Sequence, residues 1–218
     1  DRRDGKAVVL EFGAAGLAPL AVDLFLRCAL EAAVLPSTQL EGVLTHARAA
    51  LLRLAGERGE DDDDVDDDLV TFDCALARQY IINDYVYVQA EAESGLVSVL
   101  RDRMSRDLLS GGVVTPLALA VVAAYFPLHT MPDTDAILRR DWPAAVDGLL
   151  RVQIREPLEE AGDRAAIAKL TPIKHDVSVQ VMHQYEENPY PRWTINPLTV
   201  LAADQARGRV VLPAERQA

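Results

Sequence analysis

The chain has 218 residues, with 22 lysines and arginines against 34 aspartates and glutamates, a formal net charge of −12, 50% hydrophobic and 6% aromatic residues. A pI near 4.7 excludes a phosphate-tracking nucleic-acid binder and a surface drawn to anionic lipid, because both need a basic face. A mean hydropathy of +0.03 is too high for a disordered chain, and the length suits one large domain, or one domain with an appendage.

The acidity is concentrated. Residues 1–138 hold 11 basic and 23 acidic side chains, whereas residues 139–218 hold 11 of each. Seven of the negatives belong to one run, Asp61-Asp62-Asp63-Asp64-Val65-Asp66-Asp67-Asp68. A chain that opens on Asp1 in place of Met is expected to be an excerpt of a longer one, and no signal peptide is visible at its start. Cys28 and Cys74 each fall inside an apolar helical pattern, which predicts two buried thiols without a disulfide framework and suits a reducing cytoplasm.

In chain order, residues 7–12 read as a short strand. Residues 17–35 then form an amphipathic helix on which Asp23, Arg27 and Glu31, spaced i, i+4 and i+8, make one polar stripe with local ion pairs. Those charges exclude a membrane span there, and Pro116 and Pro127 do the same for the apolar stretch 113–128. Pro36 and Ser37 separate the first helix from a second over 38–55, followed by an acidic linker over 57–68. A long helical pattern over 69–93 carries Phe72, Leu76, Tyr80, Asn83 and Tyr87, although its β-branched and aromatic residues from Ile81 to Val88 also suit a strand. Gly95 punctuates it, and helices follow over 96–109 and 116–125, the latter apolar enough to be central in the core. Pro127 and Pro132 mark a turn region. Asp141-Trp142-Pro143 begins a helix reaching residue 153, Glu156-Pro157 begins another to about residue 170, and a last helix spans about 176–187. Strand signal is otherwise confined to 210–212. The expected fold is all-α: an irregular bundle of about seven to eight helices over residues 1–183, with an extended Pro/aromatic segment over 184–218. No helical-hairpin repeat is visible.

Convergent chemistry is scarce. Glu11-Phe12-Gly13-Ala14-Ala15-Gly16 has the outline of a strand, a glycine turn and a helix, as in nucleotide or S-adenosylmethionine sites, but the second strand with its acidic ribose partner does not follow. An EF-hand reading of the aspartate run fails because Asp66 and Phe72 stand where the turn glycine and the bidentate glutamate belong. His46, His129, His175 and His183 form no i, i+4 pair for zinc. His175, Asp176 and Ser178 are too close along one segment to act as a triad, and the adjacent acids Glu159-Glu160 and Glu186-Glu187 point about 100° apart on a helix. No catalytic or metal-ligating residue is assigned.

Residues Gln184, Tyr185, Glu186, Glu187, Asn188, Pro189, Tyr190, Pro191, Arg192 and Trp193 are different, with three aromatics in ten positions. Asn188 precedes a proline and is biased out of the α region, so the helix is expected to end there and the Pro-Tyr-Pro stretch to run extended. In a polyproline geometry Tyr190 and Trp193 project from one side, about 9 Å apart. Such a stiff strip loses little entropy on docking. It either closes its own helical domain or docks on a neighbouring domain or ligand, and the two roles are compatible.

This segment, with Asp176-Val177-Ser178 before it, resembles the helical region of bacterial tetratricopeptide-type class I S-adenosylmethionine-dependent methyltransferases, in which such a signature stands just ahead of the catalytic domain. Supporting matches are Ala77-Arg78-Gln79-Tyr80-Ile81-Ile82-Asn83-Asp84-Tyr85-Val86-Tyr87, Ala124-Tyr125-Phe126-Pro127-Leu128, Gln153-Ile154-Arg155-Glu156-Pro157-Leu158-Glu159-Glu160 and Leu170-Thr171-Pro172-Ile173, so that it covers about residues 69–193. The resemblance implies a non-catalytic accessory domain that positions a protein or peptide substrate or caps an active site. Its partner would be a downstream methyltransferase domain, and S-adenosylmethionine would be held by that domain and by no residue of this chain. The strand and glycine-rich loop expected after Trp193 do not follow in the 25 remaining residues. Two alternatives stand beside this expectation: a free-standing helical adaptor that holds a protein or peptide in an apolar groove, and a small enzyme built on Gly13 and Gly16.

Overall fold

The computed structural model describes residues 14–57, 66–167, 180–182 and 184. The chain divides into two compact units, residues 1–168 and 169–218. Among the described residues the architecture is all-α, as expected. Its helices are α1 (Ala14–Ala21), α2 (Leu24–Ala32), α3 (Thr38–Glu57), α4 (Asp67–Ile82), α5 (Glu91–Ser110), α6 (Pro116–Ala123), α7 (Thr134–Leu138), α8 (Ala144–Leu150) and α9 (Glu156–Ala166), all in the first unit. A 3₁₀ turn (Leu128–Thr130) precedes α7, and a π-helical turn (Arg151–Arg155) joins α8 to α9.

Two helices are apolar nearly all round and therefore lie inside the others. Every residue from Leu117 to Ala123 of α6 is buried, and in α4 only Asp67, Asp68, Leu69, Thr71 and Arg78 escape full burial. Local chemistry starts both helices. The Thr115 hydroxyl accepts from the Ala118 N–H ahead of Pro116 at the first helical turn of α6, and the Asp66 carboxylate accepts from the Asp68 N–H at α4. Helices α1, α2 and α8 lie against α4, whereas α3 and α5 lie against α6 and against each other.

Several sequence expectations are corrected. The single helix over 17–35 is two, because Asp23 leaves helical geometry and caps α2 by accepting from the Leu26 N–H. The stripe also reaches α4: Arg27 meets Asp68 at 3.1 Å and Glu31 meets Arg78 at 2.9 Å. The acidic linker is shorter than expected, since α3 runs to Glu57 and Asp66, Asp67 and Asp68 form the N-terminus of α4, where negative charge suits the helix dipole. The long helix over 69–93 stops at Ile82, and residues 86–90 are extended. Gly95 lies inside α5, where a Cβ would meet nothing within 4 Å. Cys28 is exposed and Cys74 alone is buried. The short strands expected over 7–12 and 210–212 and most of the last helix fall outside the described residues.

Residues 144–166 run almost continuously from α8 through the π turn to α9. Pro157 has no N–H to offer the Gln153 carbonyl, and the Glu156 N–H donates instead to Arg151 O, one residue further back than in an α-helix. The wider turn carries the fully buried Gln153. Its amide donates to Ala123 O at 3.0 Å and to Ala77 O at 3.4 Å, and its oxygen accepts from the Leu128 N–H at 3.1 Å, so one side chain joins α4, α6 and the 3₁₀ turn. Gln153→Leu keeps the volume but strands the Leu128 N–H, and is expected to cost about 2–3 kcal/mol in urea unfolding. A loss below about 0.5 kcal/mol would show that the amide is not holding these elements.

Candidate functional site

The most concentrated polar chemistry of the described residues is inside the first unit, around Arg48 of α3. Leu44, Ala47, Leu51, Leu52 and Ala55 make the buried face of this helix, and Arg48 falls on the same face, 2% exposed. Its guanidinium carbon is 4.5 Å from the Tyr80 ring centroid and 4.3 Å from that of Tyr125. Cation–π attraction therefore comes from two aromatic rings, one on α4 and one just after α6. Nη2 donates to Val88 O at 2.8 Å and to Glu93 Oε2 at 3.2 Å.

Glu93, in the first turn of α5, completes the cluster. Its Oε2 also accepts from the Tyr125 hydroxyl at 2.7 Å, and its Oε1 accepts from the Ala90 N–H at 3.2 Å, so the carboxylate caps its own helix while neutralising Arg48. Tyr87 stands edge-on to Tyr80 with ring centroids 5.2 Å apart. Burial pushes the Tyr80 phenol up to about 12 against the opposing pull of Arg48, and it raises Tyr125 and Tyr87 as well. All three phenols are neutral at physiological pH. With two rings against the cation and its carboxylate engaged, the cluster acts as a clamp between helices.

The backbone is bent to make this clamp. Asp84 and Tyr85 have φ of 50° and 55°, in the left-handed region that non-glycine residues rarely occupy. The Tyr85 N–H donates to Tyr80 O at 2.8 Å, which closes the end of α4, and its hydroxyl donates to Ala123 O at 2.9 Å. The extended residues that follow then alternate. Tyr87 points inward, and Val86 and Val88 point outward.

Asp73 is a separate feature. It is completely buried in α4, and neither carboxylate oxygen has a hydrogen-bond partner. Burial holds its pKa well above the usual carboxylate value, and it raises the neighbouring Cys74 thiol too. Burial thus favours the protonated acid at this position.

Of the ten sequence-predicted strip residues, Gln184 is helical and exposed; Tyr185, Glu186, Glu187, Asn188, Pro189, Tyr190, Pro191, Arg192 and Trp193 lie outside the described residues. Gly16 lies within α1, which already begins at Ala14, and not in a turn before a helix; Gly13 is outside the described residues. Glu159 and Glu160 are exposed, and His46 hydrogen-bonds the Gly42 carbonyl at 2.6 Å. Among the described residues no group of three His, Cys, Asp or Glu could hold a metal ion, and no helix is long and apolar enough to cross a membrane.

Sequence reasoning missed Arg48, Glu93, Gln153 and Asp73. The signal for Arg48 was its place on the apolar face of the 38–55 pattern, four residues from Leu44 and three from Leu51. Comparison with family models, with curated proteins and with solved structures gave no match.

The sign of the pH dependence of Asp73 follows from its environment. The unfolded chain releases this proton near pH 4, whereas the folded chain holds it to a higher pH, so stability from this group falls as pH rises through that window. Asp73→Asn should gain on the wild type as pH rises above about 4, by up to about 1.4 kcal/mol per pH unit in urea titrations. Parallel pH profiles for the two proteins would contradict this reading.

Proposed function

We propose that this chain is the helical accessory region of a class I S-adenosylmethionine-dependent methyltransferase, contributing substrate positioning or active-site capping and no catalytic group. The observation that carries the proposal is the ten-residue sequence from Gln184 to Trp193, read with its supporting segments upstream.

Those supporting segments have a physical meaning in the fold. Residues 77–87 supply Tyr80, Tyr85 and Tyr87; residues 124–128 supply Tyr125 and the Leu128 N–H; residues 153–160 supply Gln153. The three stretches thus meet in the Arg48 clamp and the Gln153 hub, so their likeness to the methyltransferase family reads as likeness of an interior framework. The strip from Tyr185 to Trp193 has another composition. It brings two prolines, two tyrosines, a tryptophan, an arginine and two glutamates, a set suited to a stiff docking surface that combines stacking with ion pairing. The S-adenosylmethionine cofactor and the methyl-transfer chemistry belong, in this reading, to a following domain.

Two measurements test the proposal. The reading frame after Ala218 should continue into a strand and a glycine-rich loop, and the protein that includes them should bind S-adenosylmethionine, whereas the 218-residue chain should not. In that longer protein, Tyr190→Ala with Trp193→Ala should lower methyl transfer at least tenfold while leaving the thermal transition of the helical unit in place. Methyl transfer by the 218-residue chain alone would overturn the accessory assignment, and a stop codon after Ala218 would favour a free-standing adaptor.

A further inference from the structure

Helix α5 buries one face, with Val97, Leu100, Met104 and Leu108 in the core. Its opposite face has a pattern of its own. Ala92, Gly95, Val99, Asp102, Arg106 and Leu109 recur at spacings of three and four residues, which is the period of a helix-packing seam, and all six are exposed. Val99 is 70% exposed and Leu109 73%, and Leu96 flanks the seam at 52%. Single exposed apolar side chains are ordinary on a protein surface, so what distinguishes this face is its spacing and its charges.

The charges decide what fits. Arg106 donates through Nε to the Asp102 carbonyl at 3.3 Å, but its guanidinium has no carboxylate partner among the described residues. Asp102 makes only an exposed pair with Arg101, at 3.2 Å. A second α5 laid antiparallel about a two-fold axis at the level of Met104 brings Val99 against Leu109 of the second copy and Asp102 against Arg106 of the second copy. The symmetry repeats both pairs, so that apolar pairs close the ends and two opposite-charge pairs fill the centre. A parallel arrangement would set Asp102 on Asp102 and Arg106 on Arg106, which like-charge repulsion disfavours.

We propose that the outer face of α5 is a self-complementary docking surface whose occupant is α5 of a second copy of this chain, antiparallel, in the register that pairs Asp102 with Arg106. The contact is isologous, so it closes at the dimer. One helix pair covers less than the roughly 1,200 Å² typical of stable complexes, so the contact is expected to be a weak one, and a micromolar dissociation constant is where the test begins. The inference does not depend on the methyltransferase reading.

The test is sedimentation of the 218-residue chain from about 1 to 300 μM, a range that brackets a micromolar dissociation constant. The wild type should pass from the 23.8 kDa monomer to twice that mass. Arg106→Asp sets like charges against each other twice and should weaken dimerisation at least tenfold. Adding Asp102→Arg to it rebuilds both pairs with the signs exchanged and should restore the wild-type constant. Both positions are exposed, and an unchanged circular-dichroism melt verifies that each variant is folded. A monomer throughout the range overturns the proposal. So does a dimer indifferent to Arg106→Asp, and a double variant that remains as weak as the single one overturns the register.

Discussion

A single buried cation organises the first unit. Moving a guanidinium out of water costs several kcal/mol unless its charge and its donors are met inside, so the fold must bring partners to Arg48 from wherever they lie in sequence. Tyr80 comes from α4, Glu93 from α5, Tyr125 from the end of α6 and the Val88 carbonyl from the extended segment between α4 and α5. Hydrophobic burial alone would tolerate many relative rotations of these helices. The clamp selects one, because two rings, a carboxylate and a carbonyl meet around the same planar group only in that arrangement.

Strain is localised where the clamp demands it. Two consecutive left-handed residues, Asp84 and Tyr85, cost on the order of 1–2 kcal/mol each, and neither is glycine. What offsets the cost is a set of nearby contacts: the helix-closing bond to Tyr80 O, the Tyr85 hydroxyl on Ala123 O, and the Tyr87 ring packed edge-on against Tyr80. The Gln153 amide lies on the other side of the same Ala123 carbonyl pairing, so the clamp and the π turn share an acceptor. Asp73 is another case, a buried acid whose oxygens have no hydrogen-bond partner among the described residues.

Much of this architecture is legible from periodicity. The apolar run from Pro116 marks a central helix, and the structure buries every residue from Leu117 to Ala123. The bend after Ile82 is harder to read, since the aromatic and β-branched residues from Ile81 to Val88 fit helix and strand alike. It was tertiary demand, the inward Tyr87 and the carbonyl offered to Arg48, that decided for an extended segment. The split at Asp23 is hidden in the sequence because a capping aspartate and a mid-helix aspartate look the same beside Arg27 and Glu31; the bond that Asp23 accepts from the Leu26 N–H separates them. Arg48 itself was hidden by its residue type, which composition counts as surface.

Residues 77–87, 124–128 and 153–160 converge on this same interior. The claim on which the rest stands is that Arg48 and Glu93 act as one unit, and a double-mutant cycle of Arg48→Met and Glu93→Gln measures it directly. A coupling energy of about 1.5–3 kcal/mol in urea unfolding is the expected result. Additive effects within about 0.3–0.5 kcal/mol would contradict it and reduce the clamp to ordinary packing.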